Sequence, residues 1–532
     1  MTSPFRRFST LIASDSKQSI SSNPKFPLNL GRRNRNVIPI PHRTIPHLKG
    51  QDLDFVNVAY SHVIHSDWNK LHLLATHLTP CRVKHVLLKI RKDYVLSLEF
   101  FNWVKTLNPN FHTLESHSII LHILTKNRKF KSAESILRSL LILGSVDMPD
   151  RLFEAVLYSY RMCDSSPRVF DSLFKTYAHM KKFRNASDTF SQMKVYGFFP
   201  PVESCNAYLS SLLDLRRADI ALAFYKEMGR CRISANVYTL NMVMHAFCQL
   251  GKLEKAVNVM RDMETMGITP NVASFNTLIA GHCHRGLLNL AMKLKNMMGR
   301  NGVEPNVVTY NSLIYGFCKE GKLQEANKVF SEMKVMKVAP NTITYNTLIN
   351  GYSQASNTDM AGKVYEEMSQ NGVKADILTY NALILGLCKE GKIKKASCLV
   401  KELDKKNLVP NASTFSALIS GQCIKKNSDR AFQLYKSMVR SGCHPNEQTF
   451  NMLISTFCEN DDFEGALYVL TEMFRRCMTP GSEALSEIYN GLCRCRKDHL
   501  AIKLCGEMEA INLMPTIFDK AKCSNLETRE RG

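Results

Sequence analysis

The sequence predicts an all-α fold, a right-handed α-solenoid (superhelix) of tandem 35-residue helix-turn-helix units. Three observations carry this. First, one phrase is written twice: Val307-Val308-Thr309-Tyr310-Asn311-Ser312-Leu313-Ile314 is answered 35 residues later by Thr342-Ile343-Thr344-Tyr345-Asn346-Thr347-Leu348-Ile349, and again at Tyr380-Asn381. Self-similarity at such a period marks a repeat array. Second, each copy holds two apolar runs at helical spacing. In one copy they are Tyr310, Leu313, Ile314 and Phe317, then Leu323, Ala326, Val329, Phe330 and Met333. Third, Gly321 lies between the runs where a helix C-cap wants a left-handed residue, and Pro340 closes the unit. One such hairpin cannot bury its apolar face alone, so it stacks on its neighbours.

Along the chain, residues 1–50 set nine Lys and Arg, among them Arg6, Arg7, Arg32 and Arg33, against one acid, Asp15. Phe5 to Ile12 can form an amphipathic basic turn or two. An Arg-rich, Ser-rich, acid-poor start is the physics of an organelle transit peptide, with the early arginines favouring a mitochondrion over a chloroplast; a disordered basic tail touching RNA is the alternative. Residues 51–113 are helical but irregular, with Trp103 in a core face. Residues 114–148 fit the 35-residue frame loosely, Ala133, Leu137 and Leu140 matching Ala326, Phe330 and Met333. Residues 149–166 are too short for a unit and read as an out-of-phase helix. From Pro167 to Thr516 the frame runs unbroken for ten units, beginning at Pro167, Val202, Val237, Val272, Val307, Thr342, Ile377, Ala412, Glu447 and Ser482. Residues 517–532 are a short polar tail.

Apolar content of 45% and charge of 22% are globular values, so wholesale disorder is excluded. A net charge of +23 repels itself in a folded chain and suits a polyanionic partner, nucleic acid before membrane. Of 17 cysteines, Cys248, Cys283, Cys318, Cys388, Cys423, Cys458 and Cys493 share one place in the unit, where a small core filler is expected rather than a metal ligand or a disulfide. Reduced thiols follow, in a non-secretory compartment. No run of 18 apolar residues is present to cross a membrane.

Units of the form Val-Val-Thr-Tyr-Asn-x-Leu-Ile-x-Gly-x-Cys-Lys-x-Gly-Lys-Leu-x-x-Ala, ending Met-x-x-x-Gly-Val-x-Pro-Asn, resemble pentatricopeptide repeats of the plain P-type subclass, known from plant organelles. The tetratricopeptide repeat is excluded by its shorter period and by the absence of its Trp signature from the array. The resemblance implies single-stranded RNA as partner, one base per repeat, read by the fifth and last residues of each unit. Carried over, the pairs are Asn206 with Asn236, Asn241 with Asn271, Asn276 with Asn306, Asn311 with Asn341, Asn346 with Asp376, Asn381 with Asn411, and Ser416 with Asn446. Asp171 with Pro201, Asn451 with Gly481 and Ser486 with Thr516 depart from the pattern and are expected to read no base. An ionised carboxylate only accepts, so Asp376 suits the N3–H of uracil, whereas an amide that can flip tolerates both pyrimidines. The implied target is Y-Y-Y-Y-U-Y-A. The resemblance also implies that the second-position residues Val308, Ile343 and Leu378 sandwich the bases. Lys319 and Lys389 lie where a phosphate would pass, or else serve as solvated charges at a helix C-terminus.

No His-x-Glu or Cys-x-x-Cys motif of a deaminase-like domain occurs. The expectation is therefore an RNA-binding adaptor without catalysis or cofactor, serving processing, stabilisation, splicing or translation of an organellar transcript, alongside other RNA-processing factors. The rival is a helical scaffold for protein partners, for example on an organellar ribosome.

Overall fold

A computed structural model describes residues 39–41, 48–142 and 149–510. Most of the basic start and the whole 517–532 tail lie outside the described residues. Among the described residues every regular element is helical, with no strand, so the fold is all-α and built of tandem helical hairpins. They form two compact parts, one up to Gly281 and one from His282.

In the first part, Gln51–Ile64, Trp68–Leu73, Pro80–Ile90 and Tyr94–Leu107 pack around Val83, Leu87, Phe100 and Phe101. Trp103 sits at the margin of this core, its ring 5.8 Å from Phe100 and 6.2 Å from Trp68. Leu114–Lys126 and Phe130–Ile142 make a hairpin whose Ala133, Leu137 and Leu140 are buried. The short stretch after it is a lone helix, Pro149–Ser159, tied down by His122. Nε2 of this buried imidazole lies 2.9 Å from the Val156 carbonyl, and its Nδ1 lies 2.7 Å from the Ser165 hydroxyl. Burial pushes its pKa down to about 4, so it holds this joint as a neutral ring. Hairpins Arg168–His179/Phe183–Val195, Val202–Asp214/Ala218–Arg230 and Val237–Gln249/Leu253–Thr265 follow.

In the second part the first helices begin at Val307, Thr342, Ile377, Ala412, Glu447 and Ser482, 35 residues apart, and each runs 13 residues. Turn chemistry sets both limits. Gly321 has φ +69, the left-handed backbone a C-cap needs. Asn or Asp supplies an extended N-cap at Asn306, Asn341, Asp376, Asn411 and Asn446. Tyr310, Leu313, Ile314, Ala326, Phe330 and Met333 are buried, and burying side chains of this kind stabilises by about 1.5–3 kcal/mol each for the aliphatic and aromatic ones.

The recurring cysteines do more than fill space. A Cβ at Gly316 would lie 2.8 Å from Cys283 Cβ, at Gly351 2.8 Å from Cys318 Sγ, and at Gly421 2.7 Å from Cys388 Cβ. Ser353 takes the same role against Gly386, and in the first part Cys248 does so against Gly281. The glycine of one first helix thus receives the cysteine of the helix before it. Burial raises the Cys248, Cys283, Cys318 and Cys458 thiols to about 12, so they stay neutral, and among the described residues no cysteine is joined in a disulfide.

Candidate nucleic-acid interface

The interface is built from helix caps. The last residue of one unit is the N-cap of the next hairpin. The Thr239 backbone N–H donates to Asn236 Oδ1 at 3.0 Å, Ser274 to Asn271 at 3.1 Å, Thr344 to Asn341 at 3.0 Å, Thr379 to Asp376 at 2.9 Å and Thr414 to Asn411 at 3.1 Å. A backbone N–H can only donate, so the atom facing it has to be oxygen. The amide nitrogen of each capping Asn therefore points away from the helix.

The fifth residue of the preceding unit closes on the same oxygen. Asn206 Nδ2 donates to Asn236 Oδ1 at 3.1 Å, Asn241 to Asn271 at 3.3 Å, Asn311 to Asn341 at 3.3 Å, Asn346 to Asp376 at 2.9 Å and Asn381 to Asn411 at 3.0 Å. A third group completes each set, and sequence reasoning missed it. The hydroxyls of Thr239, Ser274, Thr344, Thr379 and Thr414 donate to the fifth-position Oδ1 at 2.6–2.7 Å. All five residues are fully buried. Each set is thus a fixed triad in which neither amide can turn without setting an NH2 against a donor. The expectation that a flipping amide accepts as readily as it donates is corrected on this ground.

Ser416 and Asn446 meet only through Thr449, whose hydroxyl lies 2.7 Å from Ser416 Oγ and 2.7 Å from Asn446 Oδ1. Asn306 caps the helix from Val307 through Val308 and Thr309 N–H groups. Asn276 is buried in the first part. Asn451 shows what the triad is for: Gly481 has no side chain, Ala484 stands where a hydroxyl would, and Asn451 Oδ1 is buried without a hydrogen-bond partner.

Beside the triads, Val308, Ile343 and Leu378 are each more than half exposed. Tyr238, at the same second position and 71% exposed, joins them. In the second part Ile343, Asn346, Asp376, Leu378, Asn381 and Ser416 line an open groove of about 1090 Å³. Lys319 and Lys389 lie on its wall. Both reach back one unit: Lys319 Nζ donates to the His284 carbonyl at 2.8 Å, and Lys389 Nζ to the Gln354 carbonyl at 3.3 Å.

Burial pushes the Asp376 carboxyl up, but hydrogen bonds from the Thr379 backbone, Asn346, the Thr379 hydroxyl and the Leu378 backbone outweigh it and hold the pKa below the usual value. The groove wall therefore offers an acceptor at Asp376 and outward NH2 donors at the capping asparagines. Among the described residues no group of His, Cys, Asp and Glu could hold a metal ion, and no helix is long and apolar enough to cross a membrane.

Residues 235–283, 270–319, 305–352, 340–389, 375–424 and 414–459 match the PPR repeat family, and residues 448–478 match the PPR repeat. The chain carries PPR repeats. A mitochondrial pentatricopeptide repeat-containing protein of Arabidopsis thaliana is 65% identical over 234 residues, 44% of this chain and 44% of that protein. A second mitochondrial one from Arabidopsis thaliana is 32% identical over 190 residues, 35% of this chain and 29% of that protein. The chain thus spans less than half the length of either relative. A crystal structure of the pentatricopeptide repeat protein PPR10 in complex with an 18-nt psaJ RNA element is 20% identical, with a TM-score of 0.46, covering 87% of this chain and 75% of that one.

Proposed function

We propose that the chain is a P-type PPR protein that binds single-stranded RNA, one base per repeat, and acts without catalysis in mitochondrial RNA metabolism. The observation that carries this is the recurring triad: a rigid polar edge, repeated every 35 residues, beside an exposed apolar side chain. A helix cap needs only one of the three groups; the other two serve to aim it. The exposed Val308, Ile343, Leu378 and Tyr238 suit the faces of bases, and stacking of this kind contributes on the order of 1 kcal/mol per base. Lys319 and Lys389 would meet the phosphates. The order of repeats supports a target of the form Y-Y-Y-Y-U-Y-A.

The deciding test is the Asn346–Asp376 pair, the one assigned to a single base. On oligonucleotides varying only the fifth base, the wild type should prefer U, and Asn346→Thr should shift the preference towards G. Each such contact is worth ~1–3 kcal/mol, roughly tenfold or more in affinity. Equal binding across the set would end the base-reading proposal and favour a protein-binding scaffold. The compartment is supported by the acid-poor, Arg-rich first fifty residues and by the mitochondrial relatives. A fluorescent fusion carrying those residues should enter mitochondria; signal in plastids would move the address, and signal in the cytosol would refute it.

A further inference from the structure

The hairpin Arg168–His179/Phe183–Val195 departs from the others at both reading positions, and the departure leaves a cavity rather than a sealed surface. Asp171 stands at the fifth position and Pro201 at the last. Pro201 has no polar side chain, so the helix from Val202 starts without a side-chain cap. Asp171 Oδ1 is buried and has no hydrogen-bond partner, while the Ser204 side chain hydrogen-bonds the carboxyl group. A buried acceptor left unpaired is costly, more so when charged. Burial raises the Asp171 carboxyl pKa accordingly. Asp171 lines a pocket of about 660 Å³ together with the exposed rings of Phe130 and Phe199, the cationic Arg168 and Lys175, and the acidic Glu134 and Glu203.

A flat ligand with N–H donors on one edge fits this set. Adenine and cytosine would turn a bare ring-nitrogen lone pair towards the carboxylate. Uracil brings one N–H between two carbonyls, one of which would face the acid. Guanine brings adjacent N1–H and N2–H donors, and its O6 falls on the side a cation can meet. We infer that this hairpin is a guanine subsite, reading the nucleotide immediately 5′ of the pyrimidine run. The inference rests on the RNA-binding reading above. It assigns a ligand to a unit whose residues fit no Asn-based pair.

The test is fluorescence anisotropy with the full chain on N-Y-Y-Y-Y-U-Y-A, where N is each base in turn, or inosine. Wild type should bind G at N about tenfold better than A or C. Inosine, which keeps N1–H and loses the 2-amino group, should fall between. Asp171→Asn, which replaces an acceptor with an amide of the same shape, should remove the preference for G. Indifference of the wild type to N overturns the subsite whatever the variant does, as does a preference for G that survives Asp171→Asn in a protein of unchanged helicity. Exchanging the U of the same oligonucleotide for A separates the two failures. If that exchange weakens binding while N is indifferent, only the guanine subsite falls; if neither position matters, base reading itself falls.

Discussion

Thr379 shows how much one hydroxyl can organise. It accepts from the Asp376 backbone N–H at 3.1 Å and donates to Asn346 Oδ1 at 2.6 Å, while its own backbone N–H donates to the capping Asp376 Oδ1. Thr379→Val keeps the shape and strands two half-buried groups, so it should destabilise by about 1–3 kcal/mol and blunt the preference for U. Chemical denaturation and oligonucleotide titration of the same sample would check both halves. The fixed amides carry a second expectation: their outward NH2 groups meet N3 of cytosine directly, so C should bind several-fold better than U where Asn236, Asn271, Asn341 or Asn411 faces the base. Titration at one such position, with the others held constant, decides it. Asp376 sets the pH behaviour. Its folded pKa lies below the ordinary carboxylate value, so its contribution is complete above about pH 4 and is lost only as pH falls through the lower folded value. Preference for U should accordingly be flat between pH 5 and 8; a loss near pH 6 would point to another group. The threonine was in plain view in the repeated phrase, yet its role was not legible. A period says that a position recurs, not that it touches a residue 33 places back.

At the scale of the element, the starts and stops of the helices were legible because each is local chemistry. Asn and Asp cap through their own side chains, and Gly321 takes a backbone that side chains resist. At the turn that ends each hairpin, Gly302 and Gly372 take the same left-handed backbone; where Lys337 holds that place at φ +56 the position is strained, and Lys337→Gly should raise the unfolding midpoint, by about 1 kcal/mol in free energy. Caps that reach across hairpins were not legible. Glu390 accepts from the Thr358 backbone N–H at 2.8 Å and from the Thr358 hydroxyl at 2.7 Å, closing the start of a helix one unit earlier. Lys392 and then the Thr358 contacts hold its pKa at about 2. A depressed carboxylate stabilises above its unfolded value and loses that contribution as pH falls through its folded one. Thermal midpoints of the wild type and Glu390→Gln should therefore differ at pH 7 and converge between about pH 4.5 and 2. Lys319 and Lys389 were ambiguous for the same reason, since the carbonyls they reach lie 35 residues back.

At the scale of the whole molecule, charge and period give separate expectations. With +23 to neutralise, RNA affinity should fall steeply with salt, and replacing a lysine that meets a phosphate should flatten the log–log slope by about 0.7. Lys319→Ala and Lys389→Ala would thus tell phosphate contact from mere helix capping, which leaves the slope alone. The all-α fold was legible in the sequence because a period survives translation into hairpins. The lone helix at 149–159 was legible as an out-of-phase helix, but what holds it was not, since His122 stands more than 25 residues earlier. The seating of cysteine on glycine has a consequence for how such a chain can change length. Each copy between Val272 and Asn446 carries the projecting side chain at one end of its interface and the hollow at the other, so these copies can follow one another in any order, and Ser353 shows that the fit survives a change of the projecting atom. Excision of residues 307–341 should therefore leave a helical protein whose best ligand is shorter by one pyrimidine. Duplication of a 35-residue segment of the gene would, by the same fit, lengthen the recognised message by one letter without redesigning a single contact.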